Sequence, residues 1–289
     1  MLDHQGRPAT HGRIAVNGTR LHYVVAGSGE PLLLLHGVPK SLHYWHLVLP
    51  LLTPHYTVIA PDIRGFGDSA RPDSGYDMRT VSDDLAELVT GLRYSSVKVH
   101  GEDWGAAFGY ALAAYHPELV EKLSYADMLL PGYGLTEGAY YTPENVKSGH
   151  WVWHLNLFAL RDYPEMLIPG HDREFWTAFM RDECVNPDAI TDEDIDIFLR
   201  GCTAPGGLRA ILNVYRAAFE NSEQTRKNPK LKQKTLGIGA SYWLGDEVKR
   251  IVSSIAEDWS YVCMDCGHSL ALEKPHELTE ILLDFFQGD

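Results

Sequence analysis

Cysteine is scarce in this chain of 289 residues: there are four. Cys184 and Cys202 lie too far apart in sequence to complete a zinc ribbon with the Cys263-x-x-Cys266 pair. Gly267 stands where a haem-attachment motif needs His. The cysteines therefore read as ordinary reduced thiols near a strand end. No metal site is expected. Long apolar runs are missing too. Leu32 to Leu35 is a short apolar run, far below the roughly 20 residues of a membrane-spanning helix. The opening MLDHQGRPATHG lacks the apolar core of a signal peptide, so the expectation is a soluble, cytoplasmic protein that binds no membrane. Basic residues are few, with 25 Lys and Arg against 39 Asp and Glu and a formal net charge of −14. That balance leaves no basic stripe for nucleic acid. No internal repeat is visible.

What is present is enough apolar residue, 45%, for one large core. Residues 13–26 alternate on either side of Asn17-Gly18, which predicts a hairpin. Short strands are predicted at Pro31–Leu35, Tyr56–Ala60, Ser96–His100, Leu119–Ala126, Thr235–Ala240 and Tyr261–Met264. Helical stretches are predicted at Leu47–Leu52, at Thr80–Leu92 with Val81, Leu85, Leu88, Val89 and Leu92 on one face, and at Glu277–Phe286. The alternation predicts an α/β fold, a mostly parallel sheet flanked by helices. From Pro131 to Lys227 strand signals stop and aromatic-rich helical patterns take over. The expected organisation is a core of residues 1–130 and 228–289 with a helical cap, 131–227, over the C-terminal edge of the sheet, where open α/β sheets bind ligands.

The chemical signal is Gly101-Glu102-Asp103-Trp104-Gly105, on a predicted strand-to-helix turn. In such a nucleophile elbow the glycines allow a bend sharp enough to hold the central side chain out above the sheet. The central residue is commonly Ser. An Asp is already ionised at neutral pH and needs no base to attack. It displaces a leaving group on saturated carbon, leaving an alkyl ester on the protein. His36-Gly37-Val38-Pro39 ends the third strand, so the backbone N–H groups of Val38 and Trp104 are candidates for an oxyanion hole. His268, in DCGHSLALEKP after the last strand, is the candidate base that activates water. Its orienting acid is Asp127, at the end of the sixth strand, or Asp246, after the seventh. Asp127 is preferred, because the usual position after the seventh strand falls near Tyr242 and holds no acid.

HGVP, PDIRGFGDS, GEDWG and the C-terminal Gly267-His268 resemble the epoxide hydrolase and dehalogenase branch of the α/β-hydrolases, over nearly the whole chain. The stretches GHWVWHLNLFALRDYPEMLIPGHDREFWTAFM and ILNVYRAAFENS are similar to the cap of the Cif-type epoxide hydrolases. That resemblance implies hydrolysis of a small-molecule epoxide to a vicinal diol. It also implies a His154 and Tyr215 ring-opening pair, an acid from the end of the sixth strand, no cofactor, and a possible homodimer. Read alone, Tyr215 and His154 would be ordinary core residues of amphipathic helices. Glu102 stands where relatives commonly have His and is expected to point away from substrate. Halide displacement by the same Asp is the competing reaction. Haloacetate dehalogenases hold the substrate carboxylate with Arg side chains and pair the cap His with a Trp, where this chain has Trp104, Ala107 and Leu155. A haloalkane dehalogenase would need a second halide donor beside Trp104; Trp45 is one candidate, although a core role is expected of it. A non-catalytic ligand receptor is a third reading, disfavoured by the intact set of reactive residues.

Overall fold

A computed structural model of the protein describes residues 1–148 and 151–288. Gly149-His150, which open the first cap stretch singled out above, lie outside the described residues. Eight strands form one sheet in the order β1-β2-β4-β3-β5-β6-β7-β8. They are β1 Thr10–Val16, β2 Thr19–Gly27, β3 Glu30–Leu35, β4 Tyr56–Pro61, β5 Val97–Glu102, β6 Val120–Ala126, β7 Lys234–Ala240 and β8 Trp259–Met264. The β1-β2 and β2-β4 pairs are antiparallel and all others are parallel. Asn17 and Gly18 both take positive φ, 37° and 72°, as a two-residue hairpin turn matching strand twist requires.

The chain reverses its winding direction between β3 and β5, and at that switch point the strand ends open toward the cap side. Leu32 to Leu35 are completely buried, as expected of a central parallel strand covered on both faces. The helix Met78–Gly91 is capped by Asp77, whose carboxylate accepts from Thr80 N at 2.9 Å, and it buries Val81, Leu85, Leu88 and Val89. The helix Trp104–Tyr115 is rich in Gly and Ala and is buried along ten of its residues, so its backbone lies close against β3, β5 and β6. One expectation needs trimming. The helical stretch at Leu47–Leu52 is confined to the single turn Leu49–Leu52, because Pro50 lacks an N–H and is tolerated only in a first turn.

Between β6 and β7 the described residues hold helices and no strand. The longer ones are Trp153–Ala159, Asp172–Arg181, Asp192–Thr203, Gly207–Arg216 and Ala218–Thr225. Phe158, Trp176 and Phe179 pack at centroid distances of 5.6 to 5.9 Å and form their shared core. Thr191 and Asp194 form a reciprocal capping box. Asp194 also binds His43 Nε2 at 2.8 Å, tying this helical layer to the loop after β3. No described helix is long and apolar enough to cross a membrane.

Candidate active site

Asp103 follows β5 with φ 57° and ψ −136°, a conformation that costs a non-glycine residue on the order of 1–3 kcal/mol. The neighbouring glycines make it possible. A Cβ at Gly101 would run into the Gly105 carbonyl, and one at Gly105 into the Leu35 carbonyl. The bend thrusts the Asp103 carboxylate against the end of β3, where the Val38 N–H donates to Oδ1 at 2.8 Å. Gly37 is required there as well, because a side chain would occupy the space of the Asp103 carboxylate. His36 fixes this loop with both ring nitrogens. Nδ1 meets the Gly37 carbonyl at 2.8 Å, and Nε2 accepts from Ile63 N at 3.1 Å.

His268 bridges two carboxylates. Its Nε2 lies 3.3 Å from Asp103 Oδ2 and its Nδ1 lies 2.7 Å from Asp127 Oδ2. Asp127 is fully buried at the end of β6 and takes a positive φ of 42°. Its other oxygen accepts from Ala240 N at 2.9 Å, so β7 holds the acid that orients the imidazole. Asp246 instead opens the helix Asp246–Ile255 and interacts with Tyr261. Burial raises the pKa of Asp103, but the hydrogen bond and charge of His268 and the N–H groups of Trp104 and Val38 outweigh it. The net shift is downward. His268 moves the other way: burial lowers its pKa, yet Glu183, Asp103 and Asp127 together lift it well above the ordinary range.

A small pocket opens in front of Asp103. Val38, Trp104, Asp127 and His268 line it from below, and His154, Phe179, Glu183 and Tyr215 from the helical layer above. His154 lies on the helix Trp153–Ala159 and Tyr215 on Gly207–Arg216, their ring centroids 5.4 Å apart. Burial lowers the His154 pKa to about 4, so the ring is neutral near pH 7. Burial, reinforced by the charges of Asp103 and Glu183, raises that of Tyr215 well above 10. All seven candidates, Val38, Asp103, Trp104, Asp127, His154, Tyr215 and His268, thus face one space. Trp45 does not. It is buried away from the cavity, edge-on to His100 at 5.2 Å.

Two further acids lie in and behind this space, of which Glu183 carried no sequence signal. Glu183, in the turn after the helix Asp172–Arg181, lines the cavity, with Oε2 3.9 Å from His268 Nε2. Glu102 points away from the cavity, as expected from its place beside the nucleophile. It accepts from the Tyr44 hydroxyl and lies 3.9 Å from Lys40 Nζ. Lys40 in turn donates to Ser269 Oγ at 3.1 Å and sits 4.2 Å above the Tyr44 ring. This buried network braces the segment that carries His268. His43, His46 and Asp194 are a set of side chains among the described residues that could hold a metal ion. They lie at the seam between the helical layer and the core.

The family model for the α/β hydrolase fold matches residues 30–137. A soluble epoxide hydrolase of Corynebacterium sp. is 35% identical over 282 residues, 96% of this chain and 97% of its own. A fluoroacetate dehalogenase of Burkholderia sp. is 30% identical over 210 residues, 71% of this chain and 67% of its own. The crystal structure of Cfl2 from Burkholderia cenocepacia superimposes with a TM-score of 0.91 at 36% identity, covering 96% of this chain and 95% of that one. With an aspartate at the elbow and near full-length likeness to an epoxide hydrolase, the chain belongs to the epoxide hydrolase branch of the α/β-hydrolase family.

Proposed function

We propose that this protein hydrolyses a small-molecule epoxide to a vicinal diol, acting in the cytoplasm, with residues 131–227 serving as the cap over its active site. The observation that carries this reading is the shared cavity. A tyrosine hydroxyl and a neutral imidazole face the same space as an ionised, hydrogen-bonded carboxylate.

In the first step Asp103 attacks a ring carbon, an ester bond forms, and the ring carbon–oxygen bond breaks. The alkoxide takes its proton from Tyr215, while His154, neutral at pH 7, donates only a hydrogen bond. Acid assistance of this kind typically contributes 10²–10⁴-fold. Esterification removes the charge of Asp103, and with it part of what holds the proton on His268. The imidazolium then returns a proton to the tyrosinate and becomes a base. In the second step His268 takes a proton from water as the water oxygen attacks the ester carbon. The N–H groups of Val38 and Trp104 receive the oxyanion, each worth about 3 kcal/mol. Collapse breaks the bond to the alkyl oxygen, which takes the proton of the newly added hydroxyl and leaves as the diol. Asp103 is again a carboxylate and His268 again an imidazolium.

Halide displacement uses the same first carboxylate but a different second wall. It needs a second N–H donor for halide or a cation for a substrate carboxylate. Trp45 does not line the cavity, and Ala107 and Leu155 offer neither group. A single turnover of styrene oxide in heavy-oxygen water tests the proposal. The diol should carry no label, because its new oxygen comes from Asp103. A labelled first-turnover diol, or halide release from a chloroalkane with no diol from the epoxide, would overturn it.

A further inference from the structure

We propose that Glu183 is a catalytic residue of the ester-hydrolysis step, holding the attacking water jointly with His268. This rests on the epoxide hydrolase reading above and assigns a task that its other residues leave unfilled. A base alone leaves the attacking water one anchored hydrogen. The second hydrogen needs an acceptor on the same side of the ester.

Glu183 is built into that position. Its Oε2 lies 3.9 Å from His268 Nε2, too far for a direct hydrogen bond. One water oxygen could still reach both atoms at about 2.8 Å. The backbone fixes the arrangement as well. The His268 N–H donates to the Glu183 carbonyl at 2.8 Å, so the turn from the cap is pinned to the segment carrying the base. Gly267 allows this approach, since a Cβ there would strike the Glu183 carbonyl and the Cys184 Cα. Glu273 locks the other end of the turn, its Oε2 accepting from Val185 N at 3.0 Å and Asn186 N at 3.1 Å. The Glu183 side chain is 14% exposed, and it lines the cavity.

The carboxyl faces His268 and Lys40, whose charges favour ionisation, and Asp103 and Asp127, whose charges oppose it. Cys184 and Tyr215 also feel its charge. Burial dominates and brings its pKa up to about 7. Esterification of Asp103 removes one opposing charge, while proton loss from His268 removes a favourable one, so it is the carboxyl's position beside the water that suits it to accept.

In the step assigned to it, one water hydrogen goes to His268 Nε2 as the oxygen bonds to the ester carbon. The other stays on oxygen, hydrogen-bonded to Glu183, and no proton passes to the carboxylate.

Rate constants for Glu183→Leu and Glu183→Gln with styrene oxide test this. Leu should lower kcat at least tenfold and leave kcat/KM, which reports alkylation, within about threefold. Alkylated protein should accumulate, seen as added intact mass. Gln keeps an acceptor and should restore most of kcat. It should also move the pH limb of ester hydrolysis to lower values, because the carboxylate that raises His268 is gone. An unchanged kcat with no adduct in the Leu variant would overturn the inference. So would equal losses in kcat and kcat/KM, or an unmoved pH limb in the Gln variant. No diol from the unmodified enzyme would sink the underlying reading instead.

Discussion

Tyr215 stands edge-on to His154, ring planes 83° apart and centroids separated by 5.4 Å, and both rings line the cavity in front of Asp103. Phe158 backs Tyr215 at 4.9 Å, and Phe179 backs His154 at 5.0 Å. The two polar tips are therefore carried on one aromatic platform, and their orientations are coupled. Their protonation divides the work. With its pKa near 4 the imidazole has no second proton to give at neutral pH. The phenol keeps its proton until an alkoxide demands it.

That division predicts unequal losses. Tyr215→Phe should slow alkylation by about 10²-fold or more, the usual worth of a proton donor. His154→Gln keeps an N–H donor and should slow it by about tenfold or less. Rapid-mixing single turnovers, with the protein adduct quantified by mass, measure the step directly. Larger losses from His154→Gln than from Tyr215→Phe would reverse the assignment of the acid.

The hydrogen bond from His268 to Asp127, 2.7 Å, separates the two acids that chain order left open. Asp127→Asn should slow ester hydrolysis by about 10²–10⁴-fold, as loss of the orienting acid does in comparable triads. It should leave alkylated protein detectable by mass. Asp246→Asn should retain ordinary turnover, since that residue opens a helix beside Tyr261, away from His268. Equal activities for the two variants would remove Asp127 from its orienting role.

The residues legible in the sequence are those fixed by local geometry. Gly101, Asp103 and Gly105 announce a bend within five positions, and Asn17-Gly18 announces a hairpin within two. His268 could be found because the fold keeps its base just after the last strand. Asp127 was harder, since choosing it over Asp246 depends on β6 and β7 lying side by side, with Ala240 reaching back to the carboxylate. Glu183 carried no signal. Its segment, RDECVN, has no motif, and its partner His268 is 85 positions away. What brings them together is the docking of the helical layer on the core, which periodicity does not encode. The brace of Lys40, Tyr44, Glu102 and Ser269 was hidden for the same reason.

Glu102 should make the fold less stable as pH rises. It is completely buried, and its Oε2 has no hydrogen-bond partner among the described residues. Burial lifts its pKa to about 7 against the pull of Lys40 and the Tyr44 hydroxyl. An unfolded glutamate ionises near 4.5. Below that value both states hold the proton and the group adds no pH dependence. Between about 4.5 and 7 the unfolded chain releases its proton while the folded chain keeps it, so stability falls. Above about 7 the full penalty is present, on the order of 3 kcal/mol. Glu102→Gln keeps an acceptor for Tyr44 and cannot ionise. Its stability relative to the unmodified protein should therefore improve by roughly that amount between pH 4.5 and pH 8. Glu183 has a shift of the same sign, but it is present in both proteins and cancels in the difference. Urea unfolding of the pair at the two pH values gives the comparison. A difference that does not change with pH would mean that the buried carboxyl is ionised throughout, held by Lys40 and the Tyr44 hydroxyl.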